Sequence, residues 1–509
     1  MRVPFWVIAS VFVVILTFDM SSFALSDSTQ TSNVSAEIIL NQLRNDQPVV
    51  YDHAEIVGDL VVPPSREEMG SQAEKFANSA IIITNSTFRG DINFEGVLIK
   101  KPIIMEGCII EGDATFRNAS FSNLSRFNST KFQKQADFEL ANFTRDAFFK
   151  NSDFQGECNF NGSEFMKEAN FNEAKFKVAR FTDCQFNGYS RFGKAVFQES
   201  ANFEGSIFLD GASFNQAQFI GKAFLGWVKF PGRTYFTKTD FRDYASFSGS
   251  SFGYIEFDEA NFAGETDFLN SSFEGNVRFV STRFQKDAIF HKANFSSNVN
   301  LHGCDYDKLL LHWDSIRNHI KPEETLYSSM KENYKERIWI TDVNECDFDY
   351  RHWKQSIKPW TDITKVPDIF LEWYCGYGTR PLNTVLWIGF FILIFGLYYW
   401  SKGGIAQVHK PGWGGKGILL IAKKVSQDTF NVEYAPEVTN EKQSNLGRLF
   451  LSLKFSLFVM ASKNTESLTA NGGIKWQAIE LERWLGRGLF VIFMYYVGDL
   501  VTSYFKPLP

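Results

Sequence analysis

The chain has 509 residues, room for two or three domains, and its formal net charge of -6 implies neither a polyanionic nor a polycationic partner. Six cysteines (Cys108, Cys158, Cys184, Cys304, Cys346 and Cys375) include no C-x-x-C pair, and seven histidines form no H-E-x-x-H. That argues against a zinc site, leaves disulfide pairing open, and leaves the 54 phenylalanines as the feature that needs a structural cause.

Residues 1–24 read as a secretory signal or as an uncleaved anchor helix. Arg2 is the sole early charge, Phe5 to Phe18 is nearly all apolar, and Ser22-Phe23-Ala24 offers small residues at a cleavable spacing. Either reading carries the following domain out of the cytoplasm. Nine N-x-S/T sequons, from Asn33 to Asn294, would then be open to glycosylation in a host that glycosylates. Residues 25–55 read as a linker.

From Phe116 the phenylalanines march at steps of five and six residues as far as Phe295. Taking every fourth gives Phe116, Phe138, Phe160, Phe181, Phe203, Phe224, Phe247, Phe268 and Phe290, and coils of 22, 22, 21, 22, 21, 23, 21 and 22 residues. Two positions before almost every ladder residue sits a small one, such as Ala114, Ala119, Ser125, Thr130 and Ala136; Lys222, Val228, Ile255 and Val277 are the exceptions. In extended chain, side chains two apart share a face, so the large and small residues both point inward. Four steps return the chain above its start, and each unit buries its face only against its neighbours, which is the logic of a solenoid.

The triplets Ala141-Asn142-Phe143, Ala169-Asn170-Phe171, Ala201-Asn202-Phe203, Ala260-Asn261-Phe262 and Ala293-Asn294-Phe295 resemble the A-[ND]-F unit of the pentapeptide-repeat family. The resemblance implies a mainly β fold, a right-handed quadrilateral β-helix solenoid, over residues 56–300. The frequent sixth residue places the chain with a longer-stepped branch and would bulge at a corner. Phe88, Phe94, Ile99, Ile104 and Ile110 extend the phase upstream. Nine coils then make a rod of roughly 43 Å at the ~4.8 Å strand spacing.

Residues 301–380 read as a helical cap and juxtamembrane segment: Trp313, Ile316 and Ile320 share one face, and Leu326, Met330, Tyr334 and Ile338 recur every fourth residue. Cys375-Gly376-Tyr377-Gly378-Thr379-Arg380-Pro381 contains Gly-Tyr-Gly, but no pore helix precedes it, so it reads as a turn rather than a potassium filter. Residues 381–509 read as an α-helical membrane domain. Leu382 to Trp400 and Trp484 to Phe505 are the spans, and Leu449 to Ala461 is a short re-entrant or interfacial helix. That plan resembles the two-helix pore-loop channels, yet Ser462, Lys463, Asn464 and Thr465 stand where a glycine-bearing filter should be. Lys463 and Asp499 are the candidate pore or membrane-functional residues. Asp499 lies inside the second span, where it is either functional or snorkels to the headgroups.

No nucleophile, metal cluster or phosphate loop stands out, so neither catalytic residues nor cofactors are expected. Residues 111–300 hold 23 acidic and 21 basic side chains, a net of -2, which excludes a nucleic-acid mimic and a nucleic-acid partner. The expected function is a membrane-anchored scaffold or binding protein, non-enzymatic, whose partners are the lipid bilayer and a protein or a second copy. The alternative is a subunit of a pore-loop channel without potassium selectivity. Lys402, Lys410, Lys416, Lys423, Lys424 and Arg448 place the linker inside and the repeat domain outside.

Overall fold

The computed structural model describes residues 32–63, 78–402, 445–461, 477–489 and 491, with short strand pairs at 405–406, 423–424, 430–431 and 469–470. They fall into two compact units, Met1–Lys321 and Pro322–Pro509.

The first unit is a parallel β-solenoid. Most of its strands are two residues long, and each pairs in parallel with the strand one coil away, as Phe121 does with Phe143 and Phe143 with Phe165. One face runs through twelve strands, from Val49–Asp52 to Val299–Asn300, roughly 53 Å at ~4.8 Å per strand. The inward phenylalanines are buried, and coil-to-coil neighbours stack almost flat. Phe121 and Phe143 have ring centroids 4.5 Å apart at 3°, Phe181 and Phe203 4.9 Å apart at 2°. Across the core, rings of facing stacks meet edge-on, as Phe138 does with Phe149 at 5.4 Å and 85°. Both arrangements suit the ring quadrupole.

The four corners are of two kinds. After Phe116, Phe127, Phe138 and their counterparts, the N–H three residues on donates back to the inward residue's carbonyl, as Ala119 does to Phe116 at 3.1 Å. The residue before that donor has positive φ: Asn118 at 53°, Leu140 at 57°, Trp227 at 58°. This is the conformation a type II turn demands of its third residue. From Phe116 to Phe295 every such corner spans five residues between inward positions, and the sixth residue falls at the other two corners. Where a six-residue step lies beside a five-residue one, the strand register shifts, between Phe154 and Glu157 and again between Phe284 and Asp287.

The A-[ND]-F unit acquires a local cause here. The middle residue at the entry to a type II corner accepts from the N–H two residues on: Asp137 from Glu139 at 3.0 Å, Asn170 from Asn172 at 3.1 Å, Asn202 from Glu204 at 2.9 Å. These are Asx turns, the reason Asn and Asp suit the position. The small inward residue has its own rule on the alternate faces. Ser152, Ser163 and Ser250 donate to the carbonyl of an inward residue in the coil below, each at 2.6 Å, so a buried hydroxyl costs nothing there. On the remaining faces Thr234 and Thr266 bury their hydroxyls without a partner.

Four expectations change. Leu225, fully buried, holds the ladder position assigned to Phe224, which is only partly buried and meets Tyr244 edge-on at 6.4 Å. The coils from Phe203 to Phe247 are therefore 22 and 22 residues, and every coil from Phe116 to Phe290 has 21 or 22. Met105, with Ile103 two before it, replaces Ile104 for the same reason. The solenoid also begins earlier than residue 56. Ser32–Ser35 pairs with Ala54–Val57, and Val34, Ile56 and Leu60 fill the core with aliphatic groups instead of rings. Within the stretch expected as a linker, the helix Ala36–Arg44 buries Ala36, Ile39, Leu40 and Leu43, packed against the first strands. At the other end the closing element is short: Trp313 and Ile316 are buried, and the Val299 N–H donates to His319 O at 2.8 Å.

In the second unit the helices Glu324–Glu336 and Ile340–Ile357 pack through Tyr327 stacked on Trp353 at 5.9 Å, flanked by Arg351–Asp347 at 2.9 Å and Lys354–Glu324 at 2.7 Å. Their buried stripe is Tyr327, Met330 and Tyr334, whereas Ile338 of the expected stripe is exposed. The helices Lys365–Cys375, Pro381–Ser401 and Asn445–Met460 follow, then a helix over 477–489.

The ladder sets the first prediction. Phe203→Asp would bury a carboxylate between Phe181 and Leu225 and lower solenoid stability by several kcal/mol, whereas Glu204→Ala, on the outer surface, should change it by less than about 0.5 kcal/mol. Thermal unfolding of the two variants checks the inward assignment, and equal shifts would contradict it.

Candidate functional site

The solenoid is a scaffold of stacked rings, and its charged side chains lie on the outside, many in coil-to-coil pairs such as Arg89–Glu55 at 2.7 Å and Arg191–Glu168 at 2.8 Å. Such surface pairs stabilise by about 1 kcal/mol at most. Among the described residues no three His, Cys, Asp or Glu side chains converge as metal ligands, and all six cysteines are free thiols. Cys108, Cys158 and Cys184 occupy small-residue positions. Burial pushes the Cys108 thiol up to about 11, the Cys304 thiol up to about 12 and the Cys158 thiol well above its ordinary value. These are packing residues, not nucleophiles.

Converging polar geometry is found in the helical unit, at two places. The first is the Cys375–Pro381 turn. Gly376, with φ of 56°, ends the helix Lys365–Cys375 in the left-handed conformation, and Tyr377 follows at the same φ with its side chain buried. Its hydroxyl donates to Glu372 at 3.4 Å, and Glu372 also accepts from Gln355 at 2.8 Å and faces His352 Nδ1 at 2.8 Å. Arg380 lies over the Phe348 ring at 3.8 Å and reaches Glu345 at 3.4 Å. Gly-Tyr-Gly is thus a short turn tied to the helices Ile340–Ile357 and Lys365–Cys375, with Pro381 starting the next one.

The second place is a buried polar centre among the helices Pro381–Ser401, Asn445–Met460 and 477–489. Glu482 is fully buried and accepts from the hydroxyls of Tyr399 and Ser456. One turn before Ser456, Ser452 buries its hydroxyl with no partner. Two glycines set the close approach: a Cβ on Gly396 would come within 2.6 Å of Leu453, and one on Gly486 within 2.3 Å of the Met460 carbonyl. Small residues that let helix backbones meet, with polar side chains bonded across them, are the packing mode of helices in lipid. Tyr374 closes the group by donating to Leu489 O at 3.1 Å.

Among the described residues one helix, Pro381–Ser401, is long and apolar enough to cross a membrane. Lys463 and Asp499 lie outside the described residues, as do the expected signal at 1–24 and the greater part of the span expected from Trp484 to Phe505. Of the expected ladder, Phe138, Phe160, Phe181, Phe203, Phe247 and Phe268 are fully buried and share one face; Phe224 is not among them. Glu482, Tyr399 and Ser456 were not singled out by the sequence. Their one signal is Ser452 and Ser456 at i, i+4 in an otherwise apolar helix.

The fold defines a class, the parallel β-solenoid. Residues 127–175, 181–226 and 257–305 match the family model of pentapeptide repeats, in nine copies. No curated protein matches the chain significantly. Among solved structures it is similar to QnrB1, a plasmid-mediated fluoroquinolone resistance protein, at 12% identity over 51% of this chain and 90% of that one; at a TM-score of 0.14 the likeness carries no functional argument.

The polar centre sets the second prediction. Glu482→Ala leaves the Tyr399 and Ser456 hydroxyls buried and unpaired, at about 1–3 kcal/mol for each group. Glu482→Gln keeps an acceptor and should cost less. Thermal unfolding of the full chain in detergent separates the two, and equal losses would remove the hydrogen-bonding role.

Proposed function

We propose that the protein is a membrane-anchored pentapeptide-repeat scaffold, non-enzymatic, that holds a ring-stacked rod at the bilayer as a binding surface for a protein partner or a second copy of itself. The observation that carries the reading is the helix Pro381–Ser401. It has 21 residues, contains no Asp, Glu, Lys or Arg, and is 17% buried over its most apolar window, so its apolar surface needs an apolar solvent. The small net charge of the rod and its conventional outer ion pairs suit a display surface rather than a reaction centre. The apolar N-terminal residues and the basic 402–448 linker support a rod outside the cytoplasm. A channel subunit lacking a potassium filter is the lesser reading, since it depends on Lys463 and its neighbours.

Alkaline carbonate washing of membranes from expressing cells tests the anchor. The full chain should stay in the pellet, and protease added to intact cells should cleave it on the rod side of residue 381. Release into the supernatant would overturn the anchor, and full protease protection would overturn the placement of the rod.

A further inference from the structure

The helix Lys365–Cys375 turns all its charged side chains inward and an apolar stripe outward. Its polar side chains face the protein: Asp368 pairs with Lys358, Glu372 bonds Gln355 and His352, and the Lys365 ammonium donates to Lys358 O at 2.6 Å. Leu371, Tyr374 and Cys375 also pack inward, against Leu489 and Trp387, and the remaining apolar stripe faces away. Val366 is 65% exposed, Phe370 45% and Trp373 66%, with Ile369 beside them at the i, i+3, i+4, i+7 spacing of a single face. The preceding turn adds Trp360 and Ile363, 78% and 88% exposed. A helix bathed in water turns the opposite face outward.

This face is continuous with the long apolar helix. The Trp373 and Trp387 rings lie 4.2 Å apart, and Trp387 Nε1 donates to Trp373 O at 3.2 Å. Tryptophans and short amphipathic helices of this kind belong at the boundary between headgroups and acyl chains. We propose that residues 360–373 form a bilayer-interface surface that lies along the headgroup boundary and sets the depth and tilt of the anchor. The inference rests on the membrane-anchored reading, and names a second, in-plane contact with lipid.

Spin labels on single cysteines test it in the full chain reconstituted into phosphatidylcholine vesicles. The sites are Val366→Cys and Phe370→Cys on the proposed surface, Leu393→Cys on the apolar helix and Glu204→Cys on the rod. The unsubstituted chain supplies the background from the native thiols. The labels at 366 and 370 should show a ratio of oxygen to water-soluble nickel accessibility several-fold above that at 204 and below that at 393. Nickel access at 366 and 370 equal to that at 204, with 393 still in lipid, overturns this inference and leaves the anchor standing. Nickel access at 393 as well overturns both. Labels at 366 and 370 shielded from both reagents, with dipolar broadening, would assign the face to a second copy and overturn the lipid contact.

Discussion

The structure of the rod depends on a match between two lengths. Parallel strands in register sit 4.7–4.9 Å apart, and offset aromatic rings are comfortable at centroid separations from about 4.5 Å. A phenylalanine repeated once per coil therefore stacks on its counterpart without adjusting the ladder, as the 4.5–5.0 Å spacings of Phe121–Phe143 and Phe154–Phe176 show. Everything else in the coil serves that registration. Small residues beside each ring leave room for it, Asx turns and left-handed residues close two corners in five residues, and the other two corners absorb the length variation. At 21 or 22 residues per coil, the conserved quantity is the circuit rather than the step.

Much of this was legible because a ring is large and the period is short. The errors fall where the pattern used a different residue. Phe224 looked like a ladder position by its side chain, but Lys222 stands two before it, and Ala223 stands two before Leu225. The small-residue rule was the better guide there, but it gives no signal at Met105, where Ile103 stands two before it. The first coils were missed because Val34, Ile56 and Leu60 carry no aromatic signature and the helix Ala36–Arg44 intervenes. The two corner types were not read from the sequence, because both admit A-[ND]-F; their one signal is that the steps of six fall only at alternate corners.

The helical unit was less legible for a different reason. Glu482, Tyr399 and Ser456 come from three helices far apart in the chain, and no spacing rule joins them. The stripe of Val366, Ile369, Phe370 and Trp373 has the period of an amphipathic helix, but periodicity does not say which face meets the protein. Only the partners of Asp368 and Glu372 reveal that the polar face is inside. Buried polar bonds, helix contacts at glycines and outward apolar faces occur together in this unit, and together they support the proposal that its solvent is lipid.

One closed coil of stacked rings is the unit of the fold. Deleting a whole circuit, residues 204–225, joins Phe203 to the coil above and returns every ring to a partner. Deleting only the five residues 204–208 keeps a pentapeptide period yet sets every later inward residue one face out of register. Circular dichroism of both deletion variants during thermal unfolding decides between them. The full-coil deletion should retain a cooperative β transition close to that of the intact chain, and the five-residue deletion should lose it. A five-residue deletion that unfolds as cooperatively as the full-coil deletion would contradict the account.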